Sequence, residues 1–337
     1  MNKRLPVLFL LAAVVLRPAP AQLRINGYFS LDAVQGPERL PAKAWSIENL
    51  RGGLAFSGEW SPGFTTMIEP MLDPAGRFGL RQAWAGLTLS PAIAVKAGLF
   101  LVPFGKANAA RRPFETRWIS DLDPVGAAFP LDWREMGILA EGRFGNFNFA
   151  AFAGNGPAEA EDFGGGQQFH DNNGNKGWGG RLGALLSRSF EIGASYYAGR
   201  PDAAGERKLR LAGADAAWTT QNIRATAEYV KTTLENPAPF ANGKAEGFFV
   251  LLELPFDRLA PLASYRRLRY EDPFHGPGFA GPDIPGAGIL VDRTSWAFGL
   301  AYTLNANLLV KIEYRRRRDD GSAGWDSALS AQAAVHF

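Results

Sequence analysis

From residue 22 to residue 337 the chain reads as about sixteen short segments with apolar residues at alternate positions, joined by connections that alternate between short and long. The segments lie near 23–33, 47–60, 64–72, 78–89, 93–101, 135–144, 146–154 and 177–187, then near 190–199, 208–219, 222–233, 246–255, 262–270, 292–303, 306–316 and 327–337. In the last, Leu329, Ala331, Ala333, Val335 and Phe337 share one face, while Ser330, Gln332, Ala334 and His336 share the other. A period of two makes one side of a strand oily and the other small or polar.

The connections decide what such strands build. Ser61–Gly63, Ser90–Ala92, Gly145–Asn146, Arg188–Ser189, Thr220–Gln221, Asp257–Pro261 and Asn305 are short. Most of the intervening ones are longer, 102–134 above all. A sandwich has no reason to alternate turn lengths at every step. A barrel in an outer membrane does, because periplasmic turns are short, extracellular loops are long and the strand number is even. The expected fold is therefore all-β: a transmembrane antiparallel β-barrel of about sixteen strands. Its oily faces meet lipid, and the aromatics near strand ends, such as Trp60, Phe64, Trp178 and Tyr302, form interfacial girdles.

The first residues have a different character. Lys3 and Arg4 precede an apolar run from Leu5 to Leu16, and Ala19-Pro20-Ala21 offers a small-residue cleavage site. The run is about 12 residues, too short for a spanning helix. Residues 1–21 are expected to be a secretory signal peptide, and 22–337 one barrel domain. Removing that segment takes 36 basic residues to 33, equal to the 33 acids. The mature chain is thus near neutral, which gives no footing for nucleic-acid binding. No cysteine is present, so neither disulfides nor thiol chemistry enter.

At Gly98-Leu-Phe-Leu-Val-Pro-Phe-Gly105, and again at Arg134-Glu-Met-Gly-Ile-Leu139 and Asn148-Phe-Ala-Ala-Phe-Ala-Gly-Asn-Gly156, the chain resembles the phosphate-selective porin O and P family. The resemblance implies a sixteen-stranded outer-membrane barrel, usually a homotrimer, that passes small anions such as phosphate through a basic constriction. Phe337, an aromatic at the very end, is the expected handle for the barrel-assembly machinery.

Loop 102–134 follows the fifth strand, where general porins fold a loop inward. It carries Lys106, Arg111, Arg112, Arg117 and Arg134 against Glu115, Asp121, Asp123 and Asp132. From Lys106 to Arg112 the loop is locally all cationic and the acids mostly follow, so those five basic residues are the expected constriction and anion-binding set. Strand parity points Arg24, Arg51, Glu59, Glu69, Lys96, Glu141, Arg143, Arg181, Glu191, Arg224, Glu228, Lys311 and Glu313 inward. Two runs, Arg266-Arg267-Leu-Arg269 and Arg315-Arg316-Arg317-Arg318, end near the outer rim. Arg267, Arg269, Arg315 and Arg317 are the expected lumen or rim cations. Alternate members of each run steer anions or meet lipopolysaccharide phosphates.

Other classes fit less well. An outer-membrane enzyme needs a base beside a nucleophile, and the three histidines are His170, His275 and His336. Only the last falls in an expected strand, so no enzyme is expected. His170-Asp-Asn-Asn-Gly-Asn175 is rich in oxygen ligands but lacks the spacing of a calcium loop, so neither metal nor cofactor is expected. A non-selective or cation-preferring pore and a structural or adhesin barrel remain as alternatives.

Overall fold

The computed structural model describes residues 22–35, 44–120, 132–160, 166–276, 292–322 and 324–337. The expected signal peptide lies outside these residues, as do Asp121 and Asp123 of the long loop. The strands are β1 (Gln22–Gln35), β2 (Trp45–Ser61), β3 (Phe64–Leu72), β4 (Phe78–Ser90), β5 (Ile93–Leu101), β6 (Arg134–Phe144), β7 (Phe147–Gly154) and β8 (Gly177–Leu185). They continue as β9 (Phe190–Gly199), β10 (Leu209–Thr219), β11 (Arg224–Leu234), β12 (Gly243–Glu253), β13 (Leu259–Asp272), β14 (Arg293–Asn305), β15 (Leu308–Asp319) and β16 (Asp326–His336). Each strand pairs antiparallel with its chain neighbours, and β1 closes on β16 with Phe29 opposite Val335 and Ala33 opposite Ala331. Closure leaves no unpaired sheet edge, which is the condition for a sheet to cross a bilayer.

Parity separates the faces as lipid and water demand. On β1, Leu23 and Ile25 are more than half exposed on the outside, while Ser30 and Asp32 are fully buried inside. A bulge on β2 shifts the outward positions from Trp45 and Ile47 to Leu50 and Leu54. Asn49 absorbs it with a left-handed φ of 56°, a conformation that Asn tolerates better than most residues.

β12 and β13 each start three residues before their expected positions. Pro261 reads as turn punctuation, but it lies within β13 opposite Leu300. Its missing N–H is not needed there, and its carbonyl accepts from Leu254 N at 3.0 Å. The turn is instead the tight Phe256–Leu259 pair, with Asp257 at φ 50°.

The main apolar core sits inside the barrel, not on the lipid side. Phe152, Tyr197, Leu211 and Phe249 point inward from four strands and enclose Phe104 and Trp133 from the two roots of the long loop. Trp133 meets Tyr197 edge-on at 4.9 Å. Part of the lumen is therefore packed solid by the loop that enters it.

Candidate functional site

The loop leaving β5 turns inward and crosses the barrel. Its neck is tied by Asn108, whose amide donates to Val102 O at 2.9 Å and Trp133 O at 3.0 Å and accepts from Trp133 N at 2.8 Å. Gly105, three residues before Asn108, has φ 63°, and a Cβ there would lie 2.4 Å from the Glu228 carboxylate. Only glycine meets both demands. Glu228 then accepts from the backbone N–H groups of Lys106 and Ala107. Gly105 N donates to Ser195 Oγ at 3.0 Å, and Lys106 Nζ pairs with Glu191 at 2.5 Å.

Further along, Arg112 donates to both oxygens of the buried Glu69 and to Glu115. The bond to Glu69 is the first cause that raises the Arg112 pKa above its ordinary value; desolvation opposes it and is outweighed. Arg117 pairs with Glu253 at 2.8 Å. Glu313 accepts from Ile119 N at 2.9 Å, and Arg266 donates to Ser120 Oγ at 2.7 Å. Lys311 donates to Pro113 O and to Gln332 Oε1, each at 2.5 Å, and Gln332 passes the contact on to Asp32 at 2.7 Å. The loop is thus fastened to β3, β9, β11, β12, β13 and β15. A fold held this way subdivides the interior with fixed walls.

Two cavities flank it. One, of about 350 Å3, is lined by Arg51, Lys106, Arg111 and Arg224 among its cations and by Glu115 and Glu253 as its acids. The other, of about 620 Å3, is lined by Lys106, Arg143 and Arg181 with Glu141 as its acid. Lys106 borders both. In the first cavity four cations and two acids form the lining; the acids engage Arg112 and Arg117, and Lys106 engages Glu191.

The expected constriction set divides accordingly. Lys106 and Arg111 line the aqueous space. Arg112 and Arg117 fasten the loop to wall carboxylates. Arg134 does not join them, because it starts β6 with parity opposite to the buried Glu135 and spends its guanidinium on Leu80 O and Gln167 Oε1. Of the rim cations, Arg315 and Arg317 share the inward parity of Lys311 and Glu313. Arg267 and Arg269 do not: Arg266 and Leu268 take the inward positions of β13, which turns Arg267 and Arg269 to the outside. Arg51 and Arg224 were legible as inward by parity but not as members of this cavity, since strand parity does not say at which depth two strands meet a loop.

The oxygen-rich loop is self-contained. Asp171 accepts from the N–H groups of Asn173 and Gly174 at 3.0 Å each and pairs with Lys176. Asn173 donates to the carbonyls of Arg200 and Asp202. These contacts order a turn.

A closed sixteen-stranded barrel whose interior is narrowed by an inward loop defines the class of outer-membrane channels. The chain belongs to the Gram-negative porin family, whose model matches residues 42–322. None of the curated proteins matches it in sequence. Among solved structures it is similar to OmpF of Salmonella typhi in complex with daunomycin, at 16% identity and a TM-score of 0.67 over 94% of this chain and 97% of that one. It is likewise similar to an anion-selective porin from Comamonas acidovorans (12% identity, TM-score 0.66, 94% and 99% covered) and to the outer membrane channel DcaP of Acinetobacter baumannii (12%, 0.64, 94% and 97%). Identities this low speak for the shared fold alone.

Proposed function

We propose that this porin is a passive diffusion channel for small hydrophilic solutes with a preference for anions, phosphate included. The observation that carries this is the cavity beside the inward loop, whose lining holds four cations, Arg51, Lys106, Arg111 and Arg224, against two acids, Glu115 and Glu253. A confined ring of cations with low-dielectric walls concentrates anions and repels cations. A channel also suits the histidines: His336 stacks on Phe114 at 4.7 Å and His275 on Phe240 at 3.8 Å. On this reading residues 1–21 export the chain, Phe337 serves the assembly machinery, and three copies associate, as in the trimer form of OmpT from Vibrio cholerae, to which the fold is similar. The test is the zero-current potential of the purified protein in a planar bilayer under a potassium chloride gradient. A chloride-preferring sign supports the reading, and a potassium-preferring sign overturns the anion preference.

A further inference from the structure

The cavity of about 350 Å3 beside the inward loop is not lined by charge alone. Its wall on β10–β12 is built in rows of cross-strand partners. The row next to the short turn after β10 is Thr219, Arg224 and Glu253, and the next row is Ala217, Thr226 and Leu251. Successive inward positions on a strand lie ~7 Å apart. A third row, Asp215, Glu228 and Phe249, is closed off where the N–H groups of Lys106 and Ala107 meet the Glu228 carboxylate. The wall of the cavity thus passes from a charged row to a largely apolar one and ends at a roof.

The loop extends the apolar face. Pro113, Trp118 and Ile119 line the same cavity. Trp118 packs with Ala260, Leu262, Ala297 and Ala301 of β13 and β14, and Leu251 packs against that cluster, so wall and loop share one apolar surface. Arg266 lies over the Trp118 ring at 5.7 Å, and its chain neighbours Arg117 and Ile119 are tied to Glu253 and Glu313. A face held this way is ordered before a solute arrives, which spares the solute the cost of ordering it.

An inorganic anion gains nothing from apolar walls. A solute with an apolar body does, because contact removes apolar surface from water on both sides, at roughly fourfold in affinity for each buried methylene. The arginines suit its other end, since a guanidinium meets a planar carboxylate with two parallel hydrogen bonds. The ~7 Å between the charged and the apolar row is a distance that a solute of a few carbons spans.

We propose that this cavity is a subsite for organic monocarboxylates with a short apolar body, the carboxylate at Arg224 and Arg111 and the body along Leu251 and Trp118. The inference rests on the anion preference and names the anions that the channel favours.

The test is block of the single-channel chloride current of the full folded barrel in a planar bilayer. The blockers are acetate, butyrate and hexanoate, with hexylammonium as the same body under the opposite charge. Block is expected to strengthen with chain length, hexanoate acting at a concentration roughly tenfold or more below acetate, as two covered methylenes require. Hexylammonium is expected not to block. Leu251→Asn is expected to bring hexanoate to within about threefold of acetate, because the body loses its apolar wall. Equal block by acetate and hexanoate in a chloride-preferring channel overturns this inference and leaves the anion preference standing; that comparison uses the unaltered protein and needs no variant to fold. A potassium-preferring channel that hexylammonium blocks better than hexanoate overturns both. A chain-length dependence that survives Leu251→Asn overturns the assignment to this cavity.

Discussion

Arg112 grips Glu69 with two parallel hydrogen bonds, Nε to Oε1 at 2.9 Å and Nη2 to Oε2 at 2.8 Å. The pair joins the inward loop to β3, and the Glu69 side chain is fully buried. It makes Arg112 a fastening of the loop, with the pore field left to its neighbour Arg111. Removing one member of a buried pair typically costs 3–5 kcal/mol, because the other is left charged and dry. Here Arg81 at 3.6 Å and Gln82 at 3.0 Å still attend Glu69. Arg112→Ala is therefore expected to cost about 3 kcal/mol, the low end of that range. Urea unfolding in detergent, followed by tryptophan fluorescence, measures it. Conductance is expected to rise and grow noisier as the loop loosens, and a quiet, unchanged channel would show that the pair does not hold the loop.

Selectivity is expected to follow Arg111 and Arg224, which line the cavity beside the loop. Changing both to Glu replaces two positive charges by two negative ones in a confined space. At 0.1 M salt, charges act over ~10 Å, so most of the cavity feels the change. The zero-current potential is expected to change sign from chloride to potassium preference. Arg112→Glu is expected to give mainly loss of folded protein, since it would place three carboxylates together with Glu69 and Glu115.

How far this site was legible in the sequence follows from the distances involved. Strands are local, and their alternation is imposed by lipid on one side and water on the other, so β3, β5 and β9 were readable to the residue. Pro261 misled because a proline's missing donor is harmless where its carbonyl alone does the pairing. The length and charge of the loop marked it as the place to look only in outline: counting charges inside 102–134 cannot show that Arg112 answers to Glu69, 43 residues earlier, or Arg117 to Glu253, 136 residues later. Those pairings exist only once the barrel is closed. Arg134 failed for a simpler reason, a parity that turns it away from the lumen.

The turn at Asp171 gives a pH dependence. Burial raises its pKa, but the bonds from Lys176, Asn173 and Gly174 outweigh that and hold it below the ordinary aspartate value. A carboxyl whose folded pKa is depressed stabilises above its unfolded pKa, and that stability is lost as pH falls through the folded value. Protection of the Asn173 and Gly174 amides from hydrogen exchange, corrected for intrinsic rates, is expected to be flat from neutral pH to about 4 and to fall below it. Asp171→Asn is expected to remove the step. A step that persists in the variant would assign it to another group.

The barrel seam offers the sharpest test of the closure itself. Gly27 N donates to Phe337 O at 2.7 Å, Phe337 N donates back to Gly27 O at 2.9 Å, and the far edge of the Phe337 ring occupies the space beside the glycine. A Cβ at Gly27 would stand 2.2 Å from the ring's Cζ. Gly27→Val must therefore displace the terminal ring, and with it the last pairing of β1 with the chain end. Phe337 is 63% exposed, so Phe337→Ala alone is expected to cost little in detergent. The two changes share one space, so they are expected not to add: the double variant recovers about 1 kcal/mol relative to the sum of the singles, the usual size for residues in contact. The four unfolding midpoints measure it. Strict additivity would mean that the ring does not rest on Gly27, and that the seam is held by its hydrogen bonds alone.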